Sequence, residues 1–271
     1  MLVFISIVYF VFIIIWGLNY HRLPFSEIAN LDMRPSTIDE LEGLCKSLIE
    51  RANELRHQVD EDSMGIMTIS GGYRSVFKRA IKGYIKAGEI ISELKGNYSK
   101  PKKVVFSSFL SYAGISGIYF PFTSEANVNT LQPDSVLPST TCHEMAHQRG
   151  FAREDEANYI SYMVCTMNPD IDFQYSGVLL ALTHSMNALY KYDIERYFKL
   201  KDLYGDGIKR DLKTIRDFWT SYEGPIEKAS NKLNDTYLKA NNQKDGIHSY
   251  GRMVDLLIAE YRQSMKKINS E

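Results

Sequence analysis

The sequence predicts an α+β fold that is mainly helical, with a small β-sheet, preceded by an N-terminal transmembrane helix. Three observations predict it. After residue 36, most apolar residues recur at helical spacing. Only two short stretches, Lys103 to Leu110 and Ile115 to Phe122, are rich in β-forming residues. The first residues, Leu2 to Leu18, are apolar apart from Ser6, Tyr9 and Gly17, with no charge before His21.

That N-terminal run would span about 26 Å as a helix, enough for a bilayer core. No basic n-region or small-residue cleavage site marks it as a removable signal. Trp16, Tyr20, His21 and Arg22 read as an interfacial collar. Residues 1–20 are therefore predicted to be a membrane anchor and residues 21–271 the working domain.

Pro24 to Pro35 reads as an extended linker. Thr37-x-x-Glu40 is a capping box, and Ile38, Leu41, Leu44, Leu48, Ala52 and Leu55 follow on one helical face. Asp60 to Gly72 is a polar loop. Tyr73 to Leu94 reads as one helix, broken by Gly96 to Pro101. Pro121 inside the second β-rich stretch argues for an edge strand. Ser135 caps the next helix, with Pro138 tolerated in its first turn. Beyond Asn168-Pro169 the chain is helical. Val178 to Tyr190 is strongly apolar, and His184 within it reads as a core histidine. Asp206 to Gly224 and Ile226 to Ala240 are amphipathic, Asn241 to Gly246 is a turn, and Ser249 to Met265 is a last helix.

Composition narrows the function. The net charge is −1, so nothing suggests nucleic acid as a partner. Three widely spaced cysteines form neither a disulfide framework nor a C-x-x-C metal site.

The chemistry sits in Thr141-Cys-His-Glu-Met-Ala-His-Gln-Arg-Gly150, which contains H-E-x-x-H. Residues four apart share a helical face, so His143 and His147 can reach one metal ion. Glu144 projects about 100° away, beside the position that a water would take. Imidazoles with a carboxylate suit Zn2+. Gly150 lies where a helix end takes positive φ, so the chain can turn back toward the metal. The residues that follow are Glu154, Asp155 and Glu156, opening a second helix over Arg153 to Met167. Glu154 is the favoured third ligand and Glu156 its competitor. Asn158 shares the Glu154 face and is placed to orient a ligand.

His143-Glu144-x-x-His147 followed by Glu154-x-x-Ala157-Asn158 resembles the glutamate zincins, in which a Glu-x-x-Ala-Asp/Asn helix supplies the third zinc ligand. The ligand spacing here is shorter than is usual in that group. The H-x-x-G turn is similar to that of the metzincins, whose ligand position falls here on Arg153. The wider string also resembles an uncharacterised bacterial membrane family, domain of unknown function 3810. That match includes Gly117-Ile-Tyr-Phe-Pro-Phe-Thr-Ser-Glu-Ala-Asn-Val-Asn129, the His-Glu-Met-Ala-His-Gln core and Tyr237-Leu-Lys-Ala-Asn241.

These resemblances imply a zincin-like metal helix and a membrane-anchored zinc metallopeptidase acting on peptides or proteins. Glu144 would be the general base. Zincins lay substrate along an edge strand before the metal helix, which makes Tyr119, Glu125 and Asn127 a candidate rim. By the same analogy Tyr250 and Arg252 are candidate oxyanion stabilisers. The family's further upstream spans imply an extracytoplasmic domain. Two other readings keep the same site: an inactive zinc-binding or zincin-fold module tethered to the membrane, and a zinc amidase acting on cell-wall peptides.

Overall fold

The computed structural model describes residues 1–240 and 252–268. Its helices are α1 (Leu2–Ile15), α2 (Phe25–Ile28), α3 (Ile38–Arg56), α4 (Gly72–Arg79), α5 (Ile81–Ile90), α6 (Ser107–Tyr112), α7 (Leu137–Gln148), α8 (Glu154–Met167), α9 (Ile171–Tyr192), α10 (Ile194–Lys201), α11 (Asp206–Thr220), α12 (Pro225–Ala240) and α13 (Met253–Ile268). Three short strands, β1 (Lys102–Lys103), β2 (Gly117–Phe120) and β3 (Glu125–Val128), lie between α5 and α7. The fold is thus mainly helical with one small sheet.

α9 packs on α3, α7 and α8, and α13 closes over α3, α8 and α9. Phe173, Leu179, Leu182 and Leu189 of α9 are completely or almost completely buried and fill the centre of the core. The Thr37 capping box forms as the sequence predicts, with the Thr37 hydroxyl accepting from Glu40 N and the Glu40 carboxylate accepting from Thr37 N. Arg262 of α13 reaches the same carboxylate at 2.6 and 2.8 Å, tying the end of the chain to the start of α3.

The sheet order is β1-β3-β2, with β1 parallel and β2 antiparallel to β3. β2 is therefore an edge. Asn129 N–H donates to Ser116 O (2.9 Å), so the hydrogen-bonded pairs alternate as 116·129, 118·127 and 120·125. The backbone groups of Gly117 and Tyr119 consequently face the open edge. Pro121 falls just past the strand, where no ladder bond is asked of it. The other β-rich stretch does not become a strand. Only Lys102 and Lys103 pair, and the Phe106 to Tyr112 segment turns into α6, whose Ser107 hydroxyl bonds back to Val104 O. The expected helix over residues 73–94 is divided at Ala80 into α4 and α5.

The N-terminus departs furthest from expectation. α1 has 14 residues, about 21 Å of helix, and among the described residues no helix is long and apolar enough to cross a membrane. The transmembrane anchor over residues 1–20, and the single-pass extracytoplasmic placement that depended on it, are not upheld. The cause is local. The helix breaks at Trp16 (φ −134, ψ −54) into a 3-10 turn over Gly17–His21. Trp16 and Tyr20, read from sequence as an interfacial collar, are each 6% exposed and pack with Ala152. They are spent inside the protein.

Candidate metal centre

α7 begins at Leu137 with Pro138 in its first turn, as expected, although the residue at its N-cap position is Val136 rather than Ser135. Its last two turns carry His143 and His147. Gly150 adopts φ +80 and reverses the chain, so that α8 starts at Glu154 and runs back beside α7. Arg149 fastens the turn. Its guanidinium lies 3.6 Å over the Tyr84 ring and donates to Met145 O and Leu94 O.

The turn brings three donors together. Among the described residues, His143, His147 and Glu154 each offer a ligand atom within 4.8 Å of the others. The two Nε2 atoms are 3.1 Å apart. Glu154 Oε2 is 3.1 Å from His143 Nε2, and Oε1 is 3.8 Å from His147 Nε2. Donors on a tetrahedral zinc with bonds of about 2.0–2.1 Å stand about 3.3 Å apart. These separations bracket that value, so the donor set fits zinc.

The outer nitrogens fix the rings. His147 Nδ1–H donates to Phe151 O (2.7 Å) and His143 Nδ1–H to Asn158 Oδ1 (3.0 Å). Both Nε2 atoms are thereby turned inward, the orientation that outer hydrogen bonds give metal-binding histidines. Burial opposes charge on both rings. The hydrogen bond and charge of Glu154 overcome it at His143, raised to about 9, while burial prevails at His147, lowered to about 4. Burial likewise works against the Glu154 carboxylate, but the two imidazoles hold its pKa below the ordinary value.

Glu144 stands outside this group. It is 3% exposed, and burial, helped by the Glu154 charge, pushes it up to about 8, although the Tyr119 backbone hydrogen bond pulls the other way. It sits between α7 and the open edge of β2, with Gly117 directly against it. The Trp16 ring centroid is 5.7 Å from that of His147 and 4.8 Å from that of Tyr119, so the N-terminal segment and β2 wall one side. A cleft of about 940 Å³ opens from the three donors, bounded by β2, α7, α9 and α11.

The other sequence candidates separate clearly. Glu156 points away from the cleft and accepts from Phe25 N–H and Arg153 Nη1, both at 2.8 Å. Tyr119 lines the cleft. Glu125 and Asn127 do not. Ala126 and Val128 are the completely buried residues of β3, so its other two side chains lie on the opposite face, where Glu125 pairs with Lys102. Arg252 lines a separate groove with Thr37 and Asp193 rather than the metal cleft. Tyr250 lies outside the described residues. His184, expected in the core, lies half-buried on the wall of the cleft.

Two participants escaped the sequence reading. Gly117 opens β2, the first strand of the hairpin that precedes the H-E-x-x-H helix, a glycine whose position was the available signal. Trp16 was masked by the apolar run around it.

The architecture and site define a mainly helical protein with an H-E-x-x-H helix closed by a glutamate from the next helix. A family model described as "Protein of unknown function (DUF3810)" matches residues 1–258, and the chain belongs to that family. No curated protein and no solved structure matches the chain.

Proposed function

We propose that this chain is a zinc-dependent metallopeptidase with a zincin-like site. The observation that carries the reading is the convergence of His143, His147 and Glu154 on one point while a buried Glu144 stands beside it at a strand edge. His143 Nε2, His147 Nε2 and a Glu154 carboxylate oxygen would hold the ion. Zinc held there supplies Lewis acidity, which polarises a carbonyl and acidifies water.

The remaining work falls to the chain. The Glu144 carboxylate takes the proton of the attacking water and passes it to the leaving amine nitrogen. The Tyr119 N–H is held by Glu144, and the other outward backbone groups of Gly117 and Tyr119 offer an extended peptide an edge to pair with. Asn158 and the Phe151 carbonyl keep both imidazoles turned inward. Trp16 and Tyr119 limit water at the same place. A purely structural site has no use for a buried carboxylate at the Glu144 position and closes its metal with protein ligands. An amidase acting on cell-wall peptides would use the same groups, so the choice between the two rests on substrate.

The test uses the purified chain. Elemental analysis is expected to give about one zinc per chain, and denatured casein is expected to be cleaved. Glu144→Gln should keep the zinc and abolish cleavage. A wild-type protein without zinc after mild purification, or a Glu144→Gln variant that still cleaves, overturns the reading.

A further inference from the structure

We infer that the cleft takes an extended, uncharged stretch of polypeptide carrying large apolar side chains. The inference rests on the hydrolytic reading above and names its substrate class. The observation is the distribution of charge along the lining. Charged residues make up 24% of the chain, yet among the described residues the cleft wall carries two of them, Glu144 and Glu154, both at the metal group. Among the described residues no lysine, arginine or aspartate lines it.

Away from that group the walls carry no charge among the described residues: uncharged polar side chains such as Gln132, Thr140, Thr183 and His184 are interspersed with large apolar ones from four separate elements. Phe12 and Trp16 stand on the N-terminal side, Tyr119 on β2, Leu180 on α9, and Ile215 and Trp219 on α11. A lysine or aspartate side chain entering between them would lose water and find no counter-charge, whereas an apolar one would exchange water for these surfaces. The volume, about 940 Å³, is at the upper end for small-molecule sites, which gives room for several residues of a peptide. Recognition of the peptide backbone falls to the β2 edge, which reads backbone and not side chain. Sequence-blind pairing along one wall and apolar selection along the others together specify this class of segment.

The chain carries its own reporters. Its two tryptophans, Trp16 and Trp219, both line the cleft. The probes are three synthetic decapeptides of equal length: one with a leucine- and phenylalanine-rich centre, one with two lysines there and one with two aspartates. Tryptophan emission is titrated with each, using metal-free wild type and zinc-loaded Glu144→Gln. The apolar peptide is expected to shift the emission and to bind at least tenfold more tightly than either charged peptide. Thr183, exposed on the α9 wall of the cleft, can be changed without opening the core, and Thr183→Lys should weaken the apolar peptide at least tenfold. Equal binding of all three peptides, or no binding of any, overturns the inference. Cleavage of casein together with equal peptide binding overturns it while leaving the hydrolytic reading standing. Selective binding of the apolar peptide without cleavage by zinc-loaded wild type supports the apolar selection and overturns the hydrolytic reading.

Discussion

Gly117 is packed against Glu144 so closely that no side chain fits between them. A Cβ built on Gly117 would lie 2.5 Å from Glu144 Oε1 and 2.7 Å from its Cγ. The strand edge and the candidate base are thus fitted to each other, and the fit requires the absence of one carbon atom.

Gly117→Ala should therefore act on the carboxylate more than on the fold. The atoms it meets belong to a side chain that can rotate away, and the backbone at Gly117 is not in the left-handed region. We expect kcat to fall by about 100-fold or more, in the range of a displaced acid–base group. Zinc content should be unchanged and the thermal midpoint little altered. Loss of zinc in step with activity would show that the glycine supports the ligands instead.

Glu154 and Glu156 should separate by readout. Glu154→Gln is expected to weaken zinc binding by more than the 10–100-fold typical of outer partners, with little change in stability. Glu156→Ala leaves Phe25 N–H and Arg153 without their acceptor and should cost about 1–3 kcal/mol of stability, with zinc affinity nearly unchanged. Chelator competition and denaturant unfolding on both variants test the assignment. Reversed results would move the ligand to Glu156.

Asn158 orients His143 without touching the ion. Asn158→Ala removes the acceptor that turns Nε2 inward and is expected to weaken zinc about 10–100-fold. His143→Ala and His147→Ala should abolish tight binding altogether. An Asn158→Ala protein that holds zinc as tightly as wild type would mean that packing alone orients the ring.

Acid should loosen the Glu40–Arg262 tie. The Arg262 hydrogen bond, with that of Thr37 N–H, lowers Glu40 from 4.5 to about 2 in the folded chain. A depressed folded pKa contributes stability that is complete above the unfolded value and is lost as pH falls through the folded one. The loss therefore falls between about pH 4.5 and pH 2. Glu40→Gln should be less stable than wild type at pH 7, and the difference should shrink across that window. A constant difference in urea midpoint from pH 7 to pH 3 would contradict the assignment.

The parts of the site legible from sequence are those set within a few residues. The H-E-x-x-H spacing places both histidines on one face, and Gly150 supplies the turn that returns Glu154. The period of two also holds in β3, but the zincin analogy that named Glu125 and Asn127 as rim residues does not use it. Ala126 and Val128, the apolar alternates, already indicated that Glu125 and Asn127 point the other way. The stretch around Val104 has strand composition, yet its pairing ends with Val104 N–H donating to Val128 O (3.1 Å), and pairing is a long-range matter. The apolar N-terminus reads as a membrane span because hydropathy does not record that Trp16 finds Tyr119 and His147 instead. Gly117 opposite Glu144 could not be read locally, since 27 residues and a chain reversal separate them.

The segment after α1 carries a consequence for how the chain acquires its structure. Arg22 Nη1 bonds to Arg149 O (2.7 Å), Arg153 Nη2 donates to Tyr20 O (2.9 Å), and Phe25 N–H donates to Glu156. These partners are 127 to 133 residues apart. On a chain made from its N-terminus, Trp16 waits for β2 and α7, and the backbone of Tyr20 and Phe25 waits for Arg153 and Glu156 at the start of α8. Contacts of such separation form late, because a long loop must be closed first. The wall beside His147 is thus synthesised well before α8 and is among the last parts to be set in place. Until then the nascent protein carries an uncovered apolar segment that other chains can capture.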